Sequence, residues 1–137
     1  MVMDYKKAYE QIKVIEIEVR NYADEGYKVK YDFENNIIQW RDYYMWNNNF
    51  TKCITDNKKK ILDEKLHKSK LIETLDAFIN GKVKDKDILD RSGKWEVKIE
   101  FYDGTKMQHK DADRFPTAWI EWRTMVESTT ECTFRLH

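Results

Sequence analysis

From Lys94 to Lys110 the chain reads KWEVKIEFYDGTKMQHK, with Trp95, Val97, Ile99 and Phe101 alternating with Glu96, Lys98 and Glu100. A period of two is that of a strand with one buried and one solvated face. Asp103-Gly104 tolerates the positive φ of a tight primed turn, so the pattern predicts a hairpin that returns through Thr105, Met107 and His109. Each apolar residue on its inner face contributes roughly 1.5–3 kcal/mol when fully buried, so the hairpin has to pack against a second layer.

The same alternation recurs earlier. Ile15, Ile17 and Val19 alternate with Glu16, Glu18 and Arg20; Tyr27, Val29, Tyr31 and Phe33 alternate with Lys28, Lys30 and Asp32. Asn35-Asn36 accepts left-handed backbone geometry, so Ile37 to Arg41 is expected to return as a third strand, completing an antiparallel meander. Ahead of it, Tyr5, Ala8, Tyr9 and Ile12 are spaced for two or three helical turns.

Helical spacing reappears after Thr55 or Asp56, either of which can cap a helix running to about Asn80. Ile61, Leu62, Leu66, Leu71, Ile72, Leu75, Phe78 and Ile79 supply its apolar stripe, and Gly81 is placed to stop it. Lys82 to Gly93 reads as a charged connection with one helical turn, anchored by Ile88 and Leu89. Beyond the hairpin, Asp111 to Arg114 reads as a polar loop and Pro116 fits the first turn of a second helix with Phe115, Trp119, Trp122 and Val126 on one side. Ser128 to Thr130 is expected to break that helix, and Thr130, Cys132, Phe134 and Leu136 alternate as a final edge strand. The expected fold is α+β, a single domain over residues 1–137. It comprises an antiparallel sheet of five or six strands with one long helix and one shorter C-terminal helix packed on one face.

Composition narrows the function. Twenty-five basic and 25 acidic side chains cancel, so neither the basic excess of a phosphate-neutralising protein nor the acidic excess of a nucleic-acid mimic is present. Two cysteines, Cys53 and Cys132, are too few for a disulfide framework, and the opening residues lack a charged-then-apolar signal pattern, so a cytosolic compartment is expected. No apolar run approaches the roughly 20 residues of a membrane span.

The residues WEVKIEFYDGT, a polar stretch, then Pro116 and Trp119 opening a short helix carry a resemblance. Through Trp95, Ile99, Asp103, Gly104, Pro116 and Trp119 the chain resembles a family of small uncharacterised proteins of low-GC Gram-positive bacteria and their mobile elements. Tyr31 to Asn36 is similar to that family's first hairpin; Phe115 stands where a tyrosine is common there, and the aromatic stretch after Trp40 is an insertion. The resemblance implies a fold and a mobile-element setting, and no chemistry.

Candidate chemistry is sparse. His109, Asp111 and Asp113 could present ligands to a divalent metal, although alternate residues in a polar loop commonly serve as turn and cap groups. Cys53 with His67 is the one conceivable thiol and base pair, and Glu16, Glu18, Glu96 and Glu100 would form a carboxylate cluster if their strands were neighbours. No HExxH, GxSxG or glycine-rich phosphate loop occurs. Neither a catalytic residue, a metal nor another cofactor is assigned.

The segment Trp40 to Phe50 is different, because it holds more aromatics than one strand face can bury. Trp, Tyr and Met are enriched at the centres of protein interfaces, so Trp40, Tyr43, Tyr44, Trp46, Asn48 and Phe50, with the basic helix start at Lys58, Lys59 and Lys60, form the expected partner-binding surface. The expected function is non-catalytic binding of another macromolecule. In a mobile-element setting that suits a phage-encoded inhibitor of a bacterial defence nuclease, of the anti-CRISPR type, which occupies a protein or guide/DNA-binding surface. The expected partner is a protein, such as a nuclease or its guide complex, with nucleic acid secondary and no membrane. The alternatives are a metal-dependent enzyme using His109, Asp111 and Asp113, and a self-associating structural protein whose aromatic segment forms a homodimer seam.

Overall fold

The computed structural model describes residues 4–136. Helix α1 (Tyr5–Glu10) leads into β1 (Ile12–Arg20), β2 (Gly26–Asp32) and β3 (Ile37–Asp42), and a 3-10 turn at Trp46–Asn48 precedes β4 (Phe50–Cys53). Helices α2 (Asp56–Lys68) and α3 (Leu71–Ile79) then carry the chain to β5 (Ile88–Phe101) and β6 (Lys106–Pro116), and α4 (Trp119–Thr130) follows. The six strands form one antiparallel sheet in the order β4-β3-β2-β1-β5-β6, an α+β architecture.

β1 lies inside the sheet, paired with β2 through Ile17 opposite Val29 and with β5 through Ile17 opposite Val97. The period of two then divides the sheet into two unlike faces. Ile15, Ile17, Val29, Tyr31, Val97 and Ile99 are buried on one face beneath Leu62, Leu71, Leu75, Trp119, Trp122 and Met125 of the helices. The other face carries crossed rows of charge, such as Lys30, Glu16 and Lys98, in register across three strands.

The charged connection expected over Lys82 to Gly93 keeps its helical turn at Asp85–Asp87, but Ile88 to Gly93 already belongs to β5, paired with the end of β6. Three further elements depart from expectation. The single long helix is two, because Lys70 between them takes a left-handed conformation at φ 52°. The helical period supplies the reason. At about 100° per residue, Leu62 and Leu66 fall roughly opposite Leu71, Leu75 and Phe78 on an unbroken helix, so only a break lets both stripes face the same core. Ser69 supports the break by turning its hydroxyl back to the Leu66 carbonyl at 3.2 Å.

The expected polar loop at Asp111 to Arg114 belongs to β6, and Pro116 ends that strand opposite Ile88 instead of opening a helix. β5 bulges between Asp90 and Lys94, and the bulge is held where Gly93 N donates to Asp113 Oδ1 at 3.0 Å. A proline at the end of an edge strand removes no ladder hydrogen bond.

The expected final strand is an irregular tail. α4 continues through Ser128 to Thr130, and Phe134 N donates to Glu127 Oε2 at 2.9 Å, so the tail backbone bonds to a helix side chain. Phe134 itself is buried, stacked on Trp119 at 5.7 Å and tilted against Trp40 at 5.9 Å. The sixth strand is β4, on the opposite edge, with Phe50 across from Trp40.

Candidate interaction surface

The aromatic segment divides between core and surface. Trp40 is 2% exposed, stacked on Tyr27 at 5.2 Å, so it belongs to the core and takes no part in a surface. Phe50 stacks on Trp40 at 6.2 Å and is half-buried, with Lys52 Nζ 4.5 Å from its ring centroid. Tyr44 is half-buried against Tyr27, its hydroxyl accepting from Asn21 Nδ2 at 3.4 Å. Tyr43 is half-buried on the helix-free face, where the Arg20 guanidinium lies 3.7 Å from its ring centroid. Glu18 holds that guanidinium from the side, its Oε1 accepting from Arg20 Nε.

Beyond these, Met45 is 55% and Trp46 83% exposed. Their turn is braced from beneath by Asp42, which is only 8% exposed. Asp42 Oδ1 accepts from Tyr44 N at 2.8 Å and Met45 N at 2.9 Å, and Oδ2 accepts from Asn48 Nδ2 at 3.1 Å. Asp42 N in turn donates to Asn49 Oδ1 at 2.7 Å. Asn48 is therefore a strut of the turn. The result is a large apolar side chain held in water on a hydrogen-bonded frame.

The structure does not bring the lysines to this turn. Thr55 caps α2 by accepting from Lys58 N at 3.2 Å, and Lys59 and Lys60 are exposed on its first turn. Ile54 N donates to Asn36 O, which places that helix start beside the β2–β3 turn. The Trp46 turn lies at the other end of β4, so the two halves of the expected surface are separated by that strand, about 13 Å at 3.3 Å per residue.

The other candidate groups are dispersed. His109 Nε2 is buried 3.8 Å from Asp111 Oδ2 and makes no hydrogen bond, its ring lying among Phe78 and Trp95. Asp113 turns instead to Gly93, and its carboxyl lies below the usual carboxylate range, held there by Tyr22 and that backbone amide. Among the described residues no cluster of three His, Cys, Asp or Glu side chains could hold a metal. Cys53 precedes α2 and His67 lies near its end, tilted against the Tyr9 ring, about 17 Å away along the helix. β1 and β5 are neighbours, so Glu18 and Glu96 stand directly opposite, but Glu16 faces Lys98 and Glu100 faces Lys106. Gln108 Nε2 donates to Glu96 at 2.6 Å. Cations and amides thus break the carboxylates into separate pairs.

The sequence pattern does not mark Asp42, Met45 or Arg20 as site residues. For Asp42 a signal exists, since an aspartate two and three residues ahead of free backbone amides commonly caps a turn.

No protein-family model matches this chain, and neither a curated protein nor a solved structure matches it. Among the described residues no helix is long and apolar enough to cross a membrane.

Proposed function

We propose that this protein acts without catalysis, by stoichiometric binding of another protein through the end of the sheet that presents Trp46, Met45 and Tyr43. The observation that carries this reading is the 83% exposure of Trp46 on a turn that Asp42 holds in place. A tryptophan contributes 150–250 Å² of buried area, so covering it is worth about 4 kcal/mol before the costs of association. Because the frame is ordered in advance, little of that is offset by fixing the loop. The resemblance to a mobile-element family directs the reading to a cytoplasmic inhibitor of a bacterial defence nuclease of the anti-CRISPR type.

The test compares wild type with a Met45→Ala, Trp46→Ala variant of unchanged melting temperature. Immobilised wild type should retain a nuclease or its guide complex from a low-GC bacterial lysate, and purified protein should inhibit DNA cleavage by that nuclease. The variant should lose both. Equal retention by the variant would remove the turn from the interface, and a wild-type dimer that the variant converts to monomer would make the partner a second copy.

A further inference from the structure

A cavity of about 490 Å³ opens at the same end of the sheet as the Trp46 turn, between the β5 bulge, α4 and the C-terminal tail. Arg91, Arg123 and Arg135 surround it over a wall that includes Val19, Phe134 and Leu136, and among the described residues no carboxylate side chain lines it. That single sign is unusual in a chain of zero formal net charge. The cavity lined by Glu18, Arg20, Asp24 and Lys94, and the one between α3 and α4 lined by Lys70, Glu73, Lys82 and Glu121, both mix charges of the two signs.

The three guanidinium groups are incompletely used by the protein. Arg91 sits in the bulge, exposed, with no ion pair or hydrogen bond among the described residues. The Arg123 guanidinium makes no hydrogen bond among the described residues either; its buried Nε lies 3.9 Å from Glu127 Oε1, beyond hydrogen-bond reach. Glu127 is shared with Arg135, whose Nε lies 3.4 Å from Oε2. One carboxylate therefore serves two guanidiniums and the third has none. Planar guanidinium donors match carboxylate and phosphate oxygens, and the partly buried Arg123 gives the half-open cavity one donor that is screened less than a fully solvated one. A volume of this size is also within the range of pockets that hold small organic ligands.

We propose that this cavity is a binding site for a small organic anion, with its carboxylate or phosphate held by Arg91 and Arg123 and its apolar body against the Val19, Phe134 and Leu136 wall. This inference goes beyond the partner surface at Trp46 and is independent of it.

Isothermal titration with phenyl phosphate, 3-phenylpropanoate and the neutral 3-phenylpropanamide tests the site. One or both anions should bind saturably, the amide at least about tenfold more weakly, since a charge-assisted hydrogen bond is worth about that factor or more. Tighter binding of the phosphate assigns a phosphate monoester, and tighter binding of the carboxylate assigns an organic acid. Arg123→Gln and Arg91→Gln should each weaken the anion by about tenfold, while Lys106→Gln, at the far end of β6, and Trp46→Ala should leave it unchanged. Arg91 is exposed on the bulge, so its substitution tests the site without disturbing the core. Equal binding of amide and anions, no saturable binding of either anion, or indifference to Arg91→Gln would overturn the proposal.

Discussion

Replacing Asp42 by alanine tests whether the exposed turn is rigid because of one carboxylate. In the native turn that carboxylate accepts three hydrogen bonds, from Tyr44 N, Met45 N and Asn48 Nδ2 at 2.8, 2.9 and 3.1 Å. Hydrogen bonds to a charged group contribute about 1.5–3 kcal/mol each, but these three share one acceptor and the freed amides regain water once the turn loosens. The expected net loss is about 2–3 kcal/mol. At about 3–5 °C per kcal/mol for a chain of this length, Asp42→Ala should melt about 6–15 °C below wild type. Hydrogen exchange at the Tyr44 and Met45 amides should accelerate by about tenfold or more, ahead of any change in β1. Asp42→Asn keeps one acceptor oxygen but turns an amide donor toward the Asn48 donor; adding Asn48→Asp should restore part of the loss. A melting temperature within about 2 °C of wild type, with unchanged exchange at both amides, would refute the bracing role.

The remaining predictions concern the core and the alkaline limb. Phe134→Ala should cost about 3–5 kcal/mol in denaturant unfolding, because the ring fills the space between Trp119 and Trp40; a loss below about 1 kcal/mol would mean that the tail is dispensable. Gly26→Ala should destabilise by more than about 3 kcal/mol, since an added Cβ would run into the Val19 carbonyl and lie 2.8 Å from Arg20 Cα at the start of β2. Expression of a fully stable Gly26→Ala protein would show that the β1–β2 turn can shift. Burial pushes the Tyr31 phenol well above its ordinary value near 10, and burial followed by the Glu73 hydrogen bond does the same for Tyr9. A raised folded pKa gives stability that is complete below the unfolded pKa and is lost as pH rises from about 10 toward the folded value. Tyr31→Phe should therefore lose less stability than wild type above pH 10, by about 1.4 kcal/mol per pH unit, measured by urea unfolding across the alkaline range. Identical alkaline slopes would contradict the assignment.

The strands that the sequence alone determined are those whose apolar residues alternate without interruption, such as Ile15 to Val19, Tyr27 to Tyr31 and Trp95 to Phe101. A period of two has one structural meaning when it persists through a whole strand, and Asn36 and Gly104 marked the turns because both adopt positive φ. Short or mixed patterns were decided by tertiary contacts. Thr130 to Leu136 alternates as a strand does, yet it joins no strand: the Phe134 amide bonds to Glu127 and its ring fills a hole between two tryptophans. β4 is four residues long, too short for its period to speak, and forms because Phe50 meets Trp40 across the edge. The break at Lys70 is written in the angle between two apolar stripes, but becomes visible only once a single core demands both.

For the candidate surface the division is the same. The surplus of aromatics after Trp40 was legible as composition, whereas which ring is buried depends on neighbours from β2 and the tail: Trp40 meets Tyr27 and Phe134, while Trp46 is carried past the sheet edge on the Asp42 turn. Lys58 to Lys60 follow Trp46 closely in the chain but lie beyond the opposite end of β4, since an extended strand carries neighbours in sequence apart. Arg91, Arg123 and Arg135 are distant in sequence and share one cavity because the β5 bulge, α4 and the tail converge there. Periodicity records which face of its own element a residue occupies; which residues of other elements stand opposite is set by how the layers pack.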